Sequence, residues 1–276
     1  MCGTCGCDTD GGTGGGIRIS LLETDDASAS TPLRGRTPAH SPSQPHAHPH
    51  AQGGGHSHPV NHGETITLEQ RVLAKNEDVA SRNRDWLAGQ GIMAVNLMSS
   101  PGAGKTTLLE RTIRDLAGRR AVSVIEGDQE TTFDADRIKR AGCAVVQVNT
   151  GAGCHLDAEM MHAALKSLSP EPGSLILVEN VGNLVCPALF DLGERSKVVI
   201  ISVTEGTDKP LKYPYMFAAA DLIIINKIDL LPYVDFDPDR CQEYARSVNP
   251  KVRVLTVSAT TGEGMSDWYD WVAEQY

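Results

Sequence analysis

The sequence contains no apolar run approaching the roughly 18 residues that a bilayer span requires. Its first residues, MCGTCGC, have neither the basic start nor the apolar stretch of a secretory signal. It also lacks an excess of positive charge. Lys and Arg number 25 against 35 Asp and Glu, for a net charge of −10, which argues against a nucleic-acid binder held by phosphate neutralisation. Residues 1–63 lack apolar clusters apart from Ile17, Ile19, Leu21 and Leu22, and are built instead of Gly, Ser, Thr, Pro and His. Such a segment cannot bury enough apolar surface to offset its ordering entropy. We therefore expect a flexible tail over 1–63, largely disordered from residue 8 onward, followed by one α/β domain over 64–276. No internal repeat is evident. Together these absences point to a cytosolic protein with neither a membrane nor a nucleic acid as partner.

Beyond the tail the hydrophobic pattern is strong. Thr67-Leu68-Glu69-Gln70 has the form of a capping box with Thr67 as N-cap, opening a helix that ends near Gly89 or Gly91. Seven short apolar runs then alternate with helical patterns, at 92–98, 121–127, 143–149, 174–180, 197–203, 221–227 and 251–258. Near-continuous Val, Ile and Leu runs separated by helices predict a mostly parallel central sheet covered on both faces, in three layers.

The first of these strands runs into Ser99-Ser100-Pro101-Gly102-Ala103-Gly104-Lys105-Thr106-Thr107, and a helical pattern follows. Strand, glycine-rich loop and helix in that order form a phosphate-binding loop. The loop amides of Ser100, Gly102, Ala103, Gly104, Thr106 and Thr107 would cradle phosphate oxygens at a helix N-terminus. Lys105 would reach the β- and γ-phosphates, and the Thr106 hydroxyl would bind Mg²⁺. Ser99 stands where the pattern has its first Gly. Asn226-Lys227-Ile228-Asp229 ends a later strand. There, Asp229 can accept two hydrogen bonds from guanine, Lys227 can pack over the base, and Asn226 can brace the loop. A carboxylate left unpaired by the wrong base discriminates strongly, so the nucleotide is expected to be GTP. Ser258 and Ala259, after the last strand, resemble the loop that completes guanine pockets. Asp128 and Glu179 end two intervening strands, where carboxylates can hold Mg²⁺ through water and orient the attacking water. With Lys105 they are the expected catalytic set. No arginine finger or catalytic Gln is apparent, so intrinsic hydrolysis should be slow.

Metal-ligating residues are unusually dense. Cys2, Cys5 and Cys7 place three thiolates within six residues, a mixed-ligand start that suits Ni²⁺ or Zn²⁺ in a reducing compartment. An odd total of seven cysteines argues against a disulfide framework. Six of the nine histidines, at 46, 48, 50, 56, 58 and 62, fall within residues 45–62, and His40 sits just upstream. Interspersed imidazoles of this kind bind borderline ions weakly and exchange them readily, a reservoir rather than a contiguous tag. Cys154-His155 and Cys186 lie in loops expected at the phosphate-loop end of the sheet, where sites in such folds collect. Cys143 and Cys241 are read as buried apolar residues, and His162 as a surface histidine.

Taken together, MCGTCGC, the histidine run, SSPGAGKTT, EGDQETTFDADRI, NTGAGCHLDA, ENVGNLVCPA, TEGTDKPLKYPYMF and NKID resemble the nickel-insertion GTPases of [NiFe]-hydrogenase maturation, the HypB family. The resemblance spans nearly the whole chain. It implies a GTP-promoted homodimer of the G3E-like P-loop class that delivers nickel to the hydrogenase large-subunit precursor with a zinc-binding, HypA-like partner. It also implies a high-affinity nickel motif at Cys2, Cys5 and Cys7, a nickel or zinc site at Cys154, His155 and Cys186, and a family variant of the phosphate loop at Ser99. Three competing readings remain. The urease-accessory relative UreG has a compact Cys-Pro-His motif, whereas here His155 and Cys186-Pro187 are apart. A protein mainly storing nickel would use the tail and need little from the switch. A cobalamin-enzyme GTPase chaperone would leave ten candidate ligands in the first 62 residues without a reason.

Overall fold

A computed structural model of the chain describes residues 18–22, 62–128, 133–151 and 153–275. Eight strands form one sheet, β1 (Arg18–Leu22), β2 (Met93–Ser99), β3 (Val122–Asp128), β4 (Ala144–Asn149), β5 (Leu175–Glu179), β6 (Ser196–Ser202), β7 (Leu222–Asn226) and β8 (Arg253–Thr256). Their order is β1-β4-β3-β5-β2-β6-β7-β8. All pairings are parallel except that of β1 with β4. The α-helices among the described residues are α1 (His62–Gly89), α2 (Lys105–Leu116), α3 (Phe133–Arg140), α4 (Ala158–Leu168), α5 (Lys209–Lys212), α6 (Pro214–Ala218), α7 (Pro238–Val248) and α8 (Met265–Glu274).

The seven apolar runs all become strands, and their alternate residues feed two separate cores. Val95, Leu97, Leu175 and Leu177 pack under α2, α3 and α8, with Trp268 and Trp271 at the base. Ala94, Ile125, Ile176 and Val178 face the other way, against Leu87 of α1 and Met161 and Leu165 of α4. The same face continues from Met98, Val199 and Ile201 to Phe217 of α6 and Ala245 of α7. Burial on both faces is why these runs read as continuous rather than alternating. The Trp268 indole N–H donates to Thr112 Oγ1 at 2.9 Å, so this fully buried ring keeps a polar partner.

Two boundaries differ from the expected ones. Residues 18–22 lie within the expected tail yet form an edge strand, antiparallel to β4, with Arg18 opposite Asn149 and Leu22 opposite Val145. Ile19 of this strand packs on the α4 side of the sheet. The first helix starts at His62, so Thr67 lies inside it rather than capping it. No proline falls between Pro59 and Pro101, and an interior Thr costs only a few tenths of a kcal/mol or so, about 0.7 at most. Asn76 and Asn83 fasten α1 to the body. Asn83 Nδ2 donates to Ala158 O at 2.9 Å and to Leu192 O at 3.0 Å, while Asn76 exchanges bonds with Asp191 O and Ala158 N. His162 is not a surface histidine. It is half-buried, with Nδ1 3.0 Å from Asn83 Oδ1.

Candidate nucleotide and metal sites

The parallel strands deliver their C-terminal ends to one edge, and every described site residue follows from that. After β2 the loop turns through Gly102 (φ 75°) and Gly104 (φ 93°) into α2. A side chain on Gly104 would also collide with Asn226, whose Nδ2 would lie 2.5 Å from the added Cβ. Asn226 Nδ2 donates to Ala103 O at 3.0 Å, and Lys227 Nζ donates to Gly102 O at 2.7 Å. Asn226 thus lies against the phosphate loop, where the sequence reading put a brace, and Lys227, expected over the base, also bonds to that loop. Asn226 Oδ1 in turn accepts from Lys227 N and Ala259 N, at 2.8 and 3.2 Å, which ties in the last loop. Ser258 Oγ donates to Asp229 Oδ1 at 2.5 Å and fixes the carboxylate expected to meet the base.

Ser99–Thr107, Asp128, Glu179 and Lys227 line a cleft of about 520 Å³. Within it, Lys105 Nζ lies 3.2 Å from Glu179 Oε1, and the Thr106 hydroxyl donates to the same oxygen at 2.7 Å. Three groups in or against the cleft had been given no part from the sequence. Glu126, 2 % exposed, projects from β3 beside Glu179. Burial, with Glu179, Asp128 and Asp134 as like-charged neighbours, pushes its carboxyl up to about 8 against the pull of Lys105. The Oε2 atoms of Glu126 and Glu179 are buried and have no hydrogen-bond partner among the described residues. Orphaned carboxylate oxygens beside the Thr106 hydroxyl, with Asp128 two residues beyond Glu126, form a hard-oxygen set that fits Mg²⁺. Glu205 is the second. It accepts from Ser100 Oγ at 2.6 Å and pairs with Lys209 Nζ at 3.1 Å, holding the start of the loop. The third is an arginine, where none was expected. Arg137 of α3 lines the cleft, donates to Thr107 Oγ1 at 3.4 Å and is anchored by Glu110 and Asp134.

Next to the cleft, two loops converge. One follows β4 and carries Cys154 and His155; the other follows β5 and carries Cys186 in a short 3-10 turn, Cys186–Ala188. One ligand atom from each of the three residues lies within 4.8 Å of the others. Cys154 Sγ is 3.5 Å from His155 Nδ1. The His155 ring packs on Phe190 with centroids 3.9 Å apart, a contact the sequence did not announce. Burial lowers the His155 pKa, partly offset by Asp157, so the ring is a neutral nitrogen donor at neutral pH. Two soft sulfurs and an imidazole suit Ni²⁺ or Zn²⁺. Cys143 and Cys241 are buried, as expected, and burial pushes both thiols up to about 12. Cys2, Cys5, Cys7, His40, His46, His48, His50, His56 and His58 lie outside the described residues, and His62 opens α1.

Residues 93–256 match the family model described as the CobW/HypB/UreG nucleotide-binding domain. The chain is 58% identical over 207 residues to the hydrogenase maturation factor HypB of Rhizobium leguminosarum, across 75% of this chain and 69% of that one. To HypB of Escherichia coli K12 it is 45% identical, across 100% and 99% of the two chains. Among solved structures, HypB from Archaeoglobus fulgidus superposes with a TM-score of 0.68 at 40% identity, covering 73% of this chain and 98% of that one. HypB from Helicobacter pylori in complex with nickel gives 0.70 at 36%, covering 73% and 94%.

Proposed function

This chain belongs to the CobW/HypB/UreG family, in its HypB branch of P-loop GTPases, and on that premise we propose that it uses GTP to deliver nickel to a [NiFe]-hydrogenase large-subunit precursor. A role in hydrogenase maturation and the binding of GTP and nickel follow from the family. The finer steps are our reading. One observation carries it. The Cys154, His155 and Cys186 ligand atoms close on one another across two loops, and one of those loops leaves directly from Glu179. Glu179 is the residue that Lys105 and Thr106 of the phosphate loop engage.

In this reading the β- and γ-phosphates draw Lys105 off Glu179, and the loop amides and the N-terminus of α2 hold the phosphate oxygens. Thr106, with Asp128, Glu126 and Glu179, would hold Mg²⁺, which would supply charge stabilisation to phosphoryl transfer. Asp128 and Glu179 orient the attacking water, and Arg137 supplies a guanidinium at the cleft wall. Asp229, set by Ser258, selects guanine. Release of Glu179 repositions the segment leading to Cys186 and changes coordination in the triad, so that hydrolysis frees the metal cargo to its acceptor. Cys2, Cys5 and Cys7 hold nickel more tightly, the tail histidines store it weakly, and the triad accepts Ni²⁺ or Zn²⁺. A GTP-promoted homodimer and a zinc-binding, HypA-like partner complete the proposal, as does residence in the cytoplasm. No described helix is long and apolar enough to cross a membrane.

The test is a Ni²⁺ titration of the full chain carrying Cys2→Ala, Cys5→Ala and Cys7→Ala, loaded with GDP or a non-hydrolysable GTP analogue. Thiolate-to-nickel absorption reports the triad alone, because imidazoles do not produce it. Coupling sufficient for delivery predicts affinities differing by about fivefold or more. Coincident curves would reject delivery from this site and favour storage by the tail.

A further inference from the structure

Two sites that share a sheet edge need a physical link if one is to sense the other. Between the cleft and the triad, two residues are placed to provide it. Asn180 follows Glu179 directly and is 1 % exposed. Its Oδ1 accepts two backbone bonds, from Val181 N at 2.9 Å within its own turn and from Leu156 N at 3.1 Å in the metal loop. Two N–H donors on one atom identify it as the amide oxygen. The orientation is locked from behind, because Asn180 Nδ2 donates to Asn96 Oδ1 at 3.2 Å and Asn96 Nδ2 donates to Glu194 Oε1 at 3.0 Å.

Leu156 is the other half. It directly follows the ligand His155 and is fully buried. Its side chain lies flat against Gly127, where an added Cβ would come within 2.8 to 3.0 Å of three Leu156 carbons. Gly127 is the residue between Glu126 and Asp128 at the end of β3. Leu156 therefore touches both strand ends that carry the cleft carboxylates, β3 through packing and β5 through a hydrogen bond. Further along the β5 loop, Gly182 presses on Pro101 of the phosphate loop, leaving a Cβ there only 3.1 Å. Asn183 Nδ2 donates to Cys154 O at 3.3 Å, a second tie between the two loops.

We propose that Asn180 and Leu156 are the coupling element of this protein: Asn180 is a positioning residue that fixes the metal loop to the strand end facing the phosphates, and Leu156 transmits displacement of β3 or β5 to His155. This rests on the reading that metal and nucleotide are linked. A shift at Asp128 or Glu179 cannot be absorbed locally, since close-packed buried contacts offer discrete arrangements rather than slack. It moves Leu156, and with it the adjacent ligand.

The experiment repeats the Ni²⁺ titration in the full chain lacking the three N-terminal thiols, now with Asn180→Ala. The quantity read is the ratio of affinities between the GTP-analogue and GDP states. Asn180→Ala should bring a ratio of about fivefold or more to within about twofold of unity. A merely structural role would weaken binding in both states and leave the ratio where it was. If Asn180→Ala does not fold, Leu156→Val takes its place. It keeps the bond to Asn180 but shortens the side chain against Gly127, and the ratio should fall by at least about half. An unchanged ratio in the folded variant, with a nucleotide-dependent parent, overturns the link and leaves the proposed function standing. A parent protein whose affinity ignores the nucleotide overturns both.

Discussion

Replacing Glu126 by Gln should make the nucleotide-free protein more stable at alkaline pH and leave it nearly unchanged in mild acid. The carboxyl is buried on β3 and its pKa is raised from an ordinary value of 4.5 to about 8. Below pH 4.5 both folded and unfolded chains carry the proton. Between 4.5 and 8 the unfolded chain releases it while the folded chain retains it, so the unfolded state binds fewer protons and stability falls as pH rises. Above 8 the loss is complete. Three and a half pH units at about 1.4 kcal/mol each sets a ceiling near 5 kcal/mol, and about 3–5 is expected. Gln has nearly the same shape and cannot ionise. Urea unfolding of both proteins in chelator from pH 5 to 9 measures the difference, and every titration they share cancels. The variant should match wild type within about 1 kcal/mol at pH 5 and exceed it by about 3–5 kcal/mol at pH 8.5. A difference that stays flat with pH would refute the argument, because it would mean that Lys105 already holds Glu126 ionised in the folded protein.

Three further outcomes are expected. Asp229→Asn exchanges an acceptor for a donor at the base. GTP affinity should drop by about 10²–10³-fold, since two charge-assisted bonds are lost, while xanthine nucleotides gain; competition binding with both bases decides it. Trp268→Phe removes the indole bond to Thr112 and leaves a small void, costing about 1–3 kcal/mol in urea unfolding with nucleotide affinity unchanged. Phe190→Ala removes the ring that supports His155 and should weaken Ni²⁺ at the triad by about tenfold, read by the same thiolate absorption.

Much of this architecture was legible because the signals were redundant. Each of β2 to β8 is apolar on both faces, and the phosphate loop sits where a strand meets a helix, so periodicity and motif specified the same edge of the sheet. The Cys154, His155 and Cys186 grouping followed from that edge alone, since both loops had to leave from it. Pairwise packing was what escaped. β1 is five residues inside a glycine- and proline-rich stretch, and its partner β4 lies more than a hundred residues on; Ile19 and Leu21 hinted at a strand but could not name a neighbour. Glu126 did leave a trace, an acid within the apolar run VSVIEGD, yet strand alternation alone did not reveal that it shares a cavity with Glu179. Phe190 had no motif of its own, and Asn180 and Glu205 sat in recognisable segments, ENVGNLVCPA and TEGTDKPLKYPYMF, that assigned them no part. Their roles come from what approaches them in space.

The antiparallel sense of β1 has a consequence for the first residues of the chain. Because Arg18 pairs with Asn149, the chain is moored at the end of β4 from which the loop to Cys154 departs, not at the far side of the sheet. Cys7 precedes Arg18 by eleven residues, a leash of at most about 36–40 Å when fully drawn out. Any encounter between Cys2, Cys5 or Cys7 and the triad is then a first-order event inside one molecule, at a local concentration bounded by the length of the connecting chain. Diluting the protein leaves that encounter rate unchanged, whereas exchange between separate molecules slows with every dilution.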